Sequence, residues 1–211
     1  MIYLVRQGQT DWNLFRRANG VTDTFLNQTG IAQAKLQAEN LRNVNFDTCF
    51  CSSQTRARQT CEIIYQGPIV FDDRLNEMNV GEFEGKEETA KTMKLLWQAA
   101  ISGHKGTESF KDFMKRNCDF CDMIMEDHKG ENVLIVTAAG NVRVIDYYFN
   151  GKPKHYDFAK GTIIKNVLIV THGVIARLID YYFKGKPKDY DFVKGTIIKN
   201  GGLLTFENSK I

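Results

Sequence analysis

Two stretches of this chain are close copies of each other, and the fold has to accommodate both. Residues 133–166 and 167–200 follow one another at an offset of 34 residues with no gap, and 25 of the 34 positions are identical. Each copy opens with VLIVT, continues into a helical pattern ending in DYYF, and closes with a Gly/Lys/Pro-rich loop. The unit is therefore one strand, one helix and a connection. Two such units do not make a solenoid, which needs about three or more stacked repeats to bury its faces. Nine positions differ, and five of them, 138–142, follow the VLIVT strand directly. Removing one copy leaves 177 of the 211 residues, the size of one compact domain, so residues 1–211 are read as a single domain containing a duplicated segment. Each copy carries a formal charge of +3, which equals that of the whole chain, so the mild basicity belongs to the duplication and not to a nucleic-acid surface.

Ahead of the repeat, short β-branched runs alternate with helical patterns. Residues 2–6, 48–51 and 69–71 read as strands, and residues 30–41, 55–65, 87–100 and 109–127 as helices. This alternation predicts an α/β fold, a three-layer α/β/α sandwich around a mostly parallel sheet. The longest apolar runs are four or five residues, far short of the roughly 18 needed to cross a bilayer. Arg6 interrupts the first apolar stretch too soon for a signal peptide, and five cysteines, an odd number, form no obvious disulfide framework. Both features favour a cytoplasmic address and exclude a membrane partner. Cys118 and Cys121 form a CxxC, but they share helical spacing with Phe110, Phe113, Met114, Ile124 and Met125. They read as helix-face cysteines; no second pair completes a metal site, and neither metal nor cofactor is expected.

In a parallel sheet of this kind ligands bind beyond the carboxyl ends of the strands. After the first strand comes Arg6-Gln7-Gly8-Gln9-Thr10, then Asn13; after the second comes Ser52-Ser53-Gln54-Thr55-Arg56. After the third, Leu75-Asn76-Glu77 leads to Gly81-Glu82-Phe83-Glu84-Gly85. Arginines from two strand ends suit a tetrahedral oxyanion, because guanidinium groups match phosphate oxygens in pairs and Gly8 lets backbone N–H groups approach. On spacing alone the plainer reading is that they are solvated arginines at loop starts.

The segments as a set resemble the histidine phosphatase superfamily, in its phosphoglycerate mutase-like branch. MIYLVRQGQTDWN is similar to the R-H-G-x-T-x-x-N signature of that family, and residues 52–60 to its S-S-x-x-x-R-A-x-Q-T segment. Residues 15–30 resemble its R-x-Q-G-x-x-D-x-P-L-x-x-x-G segment, residues 75–85 its L-x-E-x-x-x-G-x-x-E-G segment, and VLIVTHG its second histidine motif. The resemblance implies phosphoryl transfer or hydrolysis through a phosphohistidine. It implies that Arg6, Asn13 and Arg56 hold the phosphoryl oxygens of a small phosphorylated metabolite. Glu77 becomes the general acid, and the second histidine position falls on Ala138 in copy one and on His172 in copy two.

The nucleophile position holds Gln7. A carboxamide nitrogen has its lone pair delocalised into the carbonyl and forms no phosphoramidate, although it still donates and accepts hydrogen bonds. Phosphate binding with lost or strongly impaired turnover is the expectation, since removing one member of a catalytic unit costs on the order of 10⁵–10⁶ in rate. Two alternatives stand beside it: an active broad-specificity phosphomonoesterase, and a non-catalytic assembly protein whose duplicated segment exchanges between subunits of a homodimer. One fold has room for one VLIVT strand beside the first strand. If copy one takes it, residues 167–171 can replace the closing strand; if copy two takes it, residues 203–206 close the sheet and His172 enters the site. The His-Gly pair favours copy two, whereas the short connection from the preceding helix favours copy one.

Overall fold

The computed structural model describes residues 1–150 and 203–206. In chain order the elements are β1 (Ile2–Arg6), α1 (Asp11–Leu14), α2 (Gln28–Leu41), β2 (Thr48–Cys51), α3 (Thr55–Ile64) and β3 (Val70–Phe71). Two 3₁₀ turns, Asp73–Leu75 and Gly81–Phe83, precede α4 (Ala90–Ser102), α5 (Phe110–Asp127), β4 (Val133–Thr137), α6 (Ala139–Asn150) and β5 (Leu203–Phe206). The strands lie in the order β3–β2–β4–β1–β5. The first four are parallel, and β5 runs antiparallel to β1 with Leu4 opposite Leu204.

The pleat divides the apolar residues between two helical layers. Ile2, Leu4, Phe50, Val133 and Ile135 pack under Phe120, Cys121 and Ile124 of α5 and Val142 and Ile145 of α6. Val5, Cys49, Cys51, Leu134 and Val136 face the opposite way, onto Leu41 of α2 and Ala57 and Cys61 of α3. β4 is buried along its whole length, which accounts for its unbroken apolar sequence. Each fully buried aliphatic side chain contributes about 1.5–3 kcal/mol, so these two layers carry most of the stability. The α/β/α sandwich expected from the alternation is the fold observed.

Helix starts follow their caps. Asn27 accepts from the Gly30 N–H at 2.9 Å and starts α2 two residues before the apolar pattern does. The α4 start shifts the other way. Glu87 pairs with Arg17 in an isolated bridge, and the Glu88 N–H donates to the Arg16 carbonyl at 2.8 Å. The helix begins only after Thr89, whose Oγ1 accepts from the Thr92 N–H. Residues 87 and 88, expected in the helix, lie before its start, Glu87 in the bridge to Arg17.

Copy one of the repeat supplies β4 and α6, beside β1 and β2. The preference for copy two drawn from its His-Gly pair is overturned, and residues 203–206 nevertheless close the sheet. A five-residue connection from α5 leads straight into β4. A buried polar pair also fits copy one: Asn141 Nδ2 donates to Asn117 Oδ1 at 2.9 Å and to the Arg74 carbonyl at 3.2 Å. The equivalent residue of copy two is Ile175, which has nothing to donate to either acceptor. Copy two, with His172, lies outside the described residues.

All the cysteines are free. Cys121 is buried in α5 and Cys118 half-buried, in line with a helix-face reading. Among the described residues no helix is long and apolar enough to cross a membrane, and no three His, Cys, Asp or Glu side chains come together as metal ligands.

Candidate functional site

A cavity of about 90 Å³ opens at the carboxyl ends of β1 and β4. It is lined by Arg6, Gln7, Asn13 and Glu77 and by Glu88, Met93, Leu96 and Trp97, together with Arg17 and Arg143. Four of the residues singled out in the sequence therefore meet in one place. No histidine lines the cavity among the described residues.

Arg6 is the last residue of β1, and its side chain is 3% exposed. Its Nε and Nη1 have no hydrogen-bond partner. A buried cation with unsatisfied donors is costly, and most such groups in folded proteins find partners. Burial pushes the guanidinium down to about 10, with Glu77 and then Glu88 opposing the shift and Arg56 adding to it.

Gln7 is tied down on two sides. Its N–H donates to the Thr137 carbonyl at 2.9 Å, and its Oε1 accepts from Arg56 Nε at 3.0 Å. With the carbonyl oxygen taken by Arg56, the amide NH₂ is what Gln7 has left to offer a ligand. Asn13 behaves alike. Its Oδ1 accepts from the Thr10 N–H at 3.0 Å in a capping box with Thr10, which leaves its NH₂ as donor.

Arg56, expected beside the phosphoryl oxygens, is not among the residues that line the cavity; it lies behind Gln7 and its donors are bonded to the protein. Nη1 donates to the Thr22 carbonyl (2.9 Å), and Nη2 to the Gly20 carbonyl (2.7 Å) and Gln54 Oε1 (2.8 Å). Burial lowers its pKa, opposed by Glu77, Asp23 and Glu84. Gly8 is bonded within the protein as well. Its N–H donates to Thr60 Oγ1 at 3.0 Å instead of waiting for an anion. Its missing side chain admits α2: a Cβ there would meet the Gly30 carbonyl oxygen at 2.5 Å.

Both carboxylate oxygens of Glu77 accept backbone N–H groups, Oε1 from Met78 (2.9 Å) and Oε2 from Gly140 (3.0 Å). Gly140 is in the first turn of α6, so the anion sits at a helix N-terminus where the dipole favours it. Ala138 occupies the turn between β4 and α6, buried and without polar function.

Glu88, Trp97, Arg17 and Arg143 were not anticipated. The segment after Gly85 carries no readable motif, and residues 87–88, which the apolar pattern places in the helix, precede it. Arg143 is one of the positions identical in both copies, where it is Arg177 in the second, so the duplication masked it. Burial raises the Glu88 pKa, with Arg16, Arg6 and Arg143 opposing in that order.

Comparison with known proteins bears on what such a cavity does. The family model described as Histidine phosphatase superfamily (branch 1) matches residues 2–160, a span that ends within copy one. A 2,3-bisphosphoglycerate-dependent phosphoglycerate mutase 2 of Gloeobacter violaceus is 33% identical over 161 residues, covering 69% of this chain and 73% of its own length. A phosphoglycerate mutase of Schizosaccharomyces pombe is 31% identical over 163 residues, covering 69% of this chain and 77% of its own. The crystal structure of the alpha-ribazole phosphatase from Shigella flexneri superposes with a TM-score of 0.64 at 29% identity, covering 72% of this chain and 80% of that one. With three quarters of its length matched by the family model and the same fold in solved relatives, this chain belongs to the histidine phosphatase superfamily.

Proposed function

We propose that the protein binds a phosphate monoester of a small metabolite in the cavity beside Arg6, and that phosphoryl transfer through a histidine is lost or strongly impaired. The observation that carries this reading is the Arg6 guanidinium, buried at the cavity wall with Nε and Nη1 unpartnered. A phosphoryl group supplies the two acceptors that are missing, in the paired geometry guanidinium favours. Asn13 and Gln7 add neutral N–H donors, and Arg56 adds charge from behind Gln7. The relatives, phosphoglycerate mutases and phosphatases by name, act on phosphate monoesters, which supports the same ligand class. Gln7 binds but does not attack, so the first covalent step has no nucleophile at its usual position.

Calorimetry with inorganic phosphate and orthovanadate tests the binding. Arg6→Met is expected to weaken it about 100-fold, two charge-assisted hydrogen bonds being lost. Failure of every anion to bind overturns the reading. Turnover of p-nitrophenyl phosphate tests the second half: Gln7→His is expected to exceed the parent by about 100-fold or more, a partial recovery because Ala138 still stands at the second histidine position. Equal rates for the two proteins defeat the claim that Gln7 disables the site.

A further inference from the structure

The residues around Arg6 bear on what kind of alcohol the phosphate is attached to. Apart from Arg6, the ionic groups there already have their interactions within the protein. Glu88, whose pKa burial raises, is faced by Arg16, Arg6 and Arg143. Both oxygens of Glu77 accept backbone N–H groups. Arg56 donates to four protein acceptors, and Arg17 Nη1 donates to the Gly85 carbonyl at 3.0 Å. A second charge on the ligand, of either sign, would be desolvated beside groups of both signs, a cost that its new attraction does not readily offset.

The remaining lining is apolar or neutral. Ala18, Met78, Val80, Met93 and Leu96 contribute hydrocarbon. Two further lining residues each carry a buried polar atom with no hydrogen-bond partner among the described residues: Trp97 at Nε1 and Asn19 at Oδ1. Trp97 is 3% exposed, and its indole N–H can only donate. The Asn19 amide is oriented by its Nδ2, which donates to Thr24 Oγ1 at 2.8 Å and leaves Oδ1 to accept. A buried donor and a buried acceptor left unmet each cost free energy. A hydroxyl accepts and donates through one oxygen, so it can answer both. An ammonium group offers nothing to the indole N–H, and a carboxylate nothing to the amide oxygen. Resting on the reading of Arg6 as the phosphate anchor, we infer that Trp97 and Asn19 form a hydroxyl subsite, and that the ligand is a phosphate monoester of a neutral alcohol carrying a further hydroxyl group.

Four probes share the phosphate and differ at the distal group: 2-hydroxyethyl phosphate, propyl phosphate, O-phosphoethanolamine and 2-phosphoglycolate carry a hydroxyl, a methyl, an ammonium and a carboxylate. Titration calorimetry of the intact protein at pH 8 is expected to place 2-hydroxyethyl phosphate first, about tenfold tighter than propyl phosphate, with each neutral hydrogen bond contributing a factor of about three. In Trp97→Phe, which removes the N–H, that ratio is expected to fall to about three. Equal binding of 2-hydroxyethyl phosphate and propyl phosphate overturns the hydroxyl subsite while leaving phosphate binding at Arg6 standing, and so does tightest binding of either charged probe. A tenfold preference that survives in Trp97→Phe overturns the assignment to Trp97. If neither inorganic phosphate nor any probe binds, the anchor itself is wrong and the subsite falls with it. The ranking in the parent protein needs no variant, so a misfolded Trp97→Phe does not blunt the test.

Discussion

Arg6 and Arg56 are two arginines from the same motif set, both almost completely buried on either side of Gln7, and their surroundings are opposite. Arg56 has four hydrogen bonds to protein acceptors, joining α3 to the loop at 20–22 and to Gln7. Arg6 has unpartnered nitrogens at a cavity wall. Residue type and burial are the same, so only the bonding separates a side chain tied to the fold on every side from one whose donors remain open at a cavity. The region behind Gln7 is closed and satisfied; the region in front retains unmet donors and acceptors at Arg6, Asn19 and Trp97.

The contrast is most exposed in stability. Arg56→Ala strips acceptors at Gly20, Thr22, Gln54 and Gln7 of their donor, and urea denaturation should register a loss of about 3–5 kcal/mol. Arg6→Met replaces an unsatisfied buried cation with an apolar chain of similar length, a change that is often neutral or stabilising, and its effect should stay within about 1 kcal/mol. Equal losses in the two variants would erase the distinction between closed and open sides.

A neutral pair repeats the comparison on a smaller scale. Gln54 accepts from Arg56 and from the Glu77 N–H at 3.1 Å, and donates to the Gly20 carbonyl at 2.8 Å. Gln54→Leu should cost about 1–3 kcal/mol, because the Glu77 amide and the Gly20 carbonyl each lose a partner. Trp97→Phe removes an indole N–H that bonds nothing and should leave the urea midpoint within about 0.5 kcal/mol of the parent, less any loss of packing. A large loss in Trp97→Phe would mean that its N–H is satisfied in solution and that this part of the cavity lining is closed.

The sequence foretold the cavity residues at the strand ends much better than those in and before α4, and the reason is physical. β1, β2 and β4 are read at their observed bounds because strands buried on both faces need unbroken apolar runs, and the residues at their carboxyl ends are then placed by topology alone. Arg6, Gln7, Asn13 and Glu77 follow from that. Whether an arginine at such an end faces the cavity or backs it depends on which carbonyls the neighbouring loop turns toward it, and residues 20–22 carry no mark of that. Glu88 was hidden by a three-residue error in a helix start: the Thr89 cap and the bridge at Glu87 are local competitions that apolar periodicity does not resolve. The choice between repeat copies turned on Asn141, one of five differences at the start of the helix, whose value is visible only once Asn117 is seen opposite it.

Glu88 gives the finest test of the open side, through pH. Its pKa in the folded chain is raised above the ordinary value of 4.5 by burial, so below that value both folded and unfolded chains hold the proton and Glu88 leaves stability unaffected. As pH rises from about 4.5 through the raised value, the unfolded chain releases the proton first, the folded chain binds more protons than the unfolded one, and stability falls. Above the raised value the full cost of the buried carboxylate is present. Glu88→Gln has no such slope. Urea midpoints of the two proteins should therefore coincide near pH 4 and separate with rising pH in favour of the variant, by under about 1 kcal/mol given that the site is partly solvated. A separation in the opposite direction would mean that Arg16, Arg6 and Arg143 together outweigh the burial of Glu88 in the folded chain.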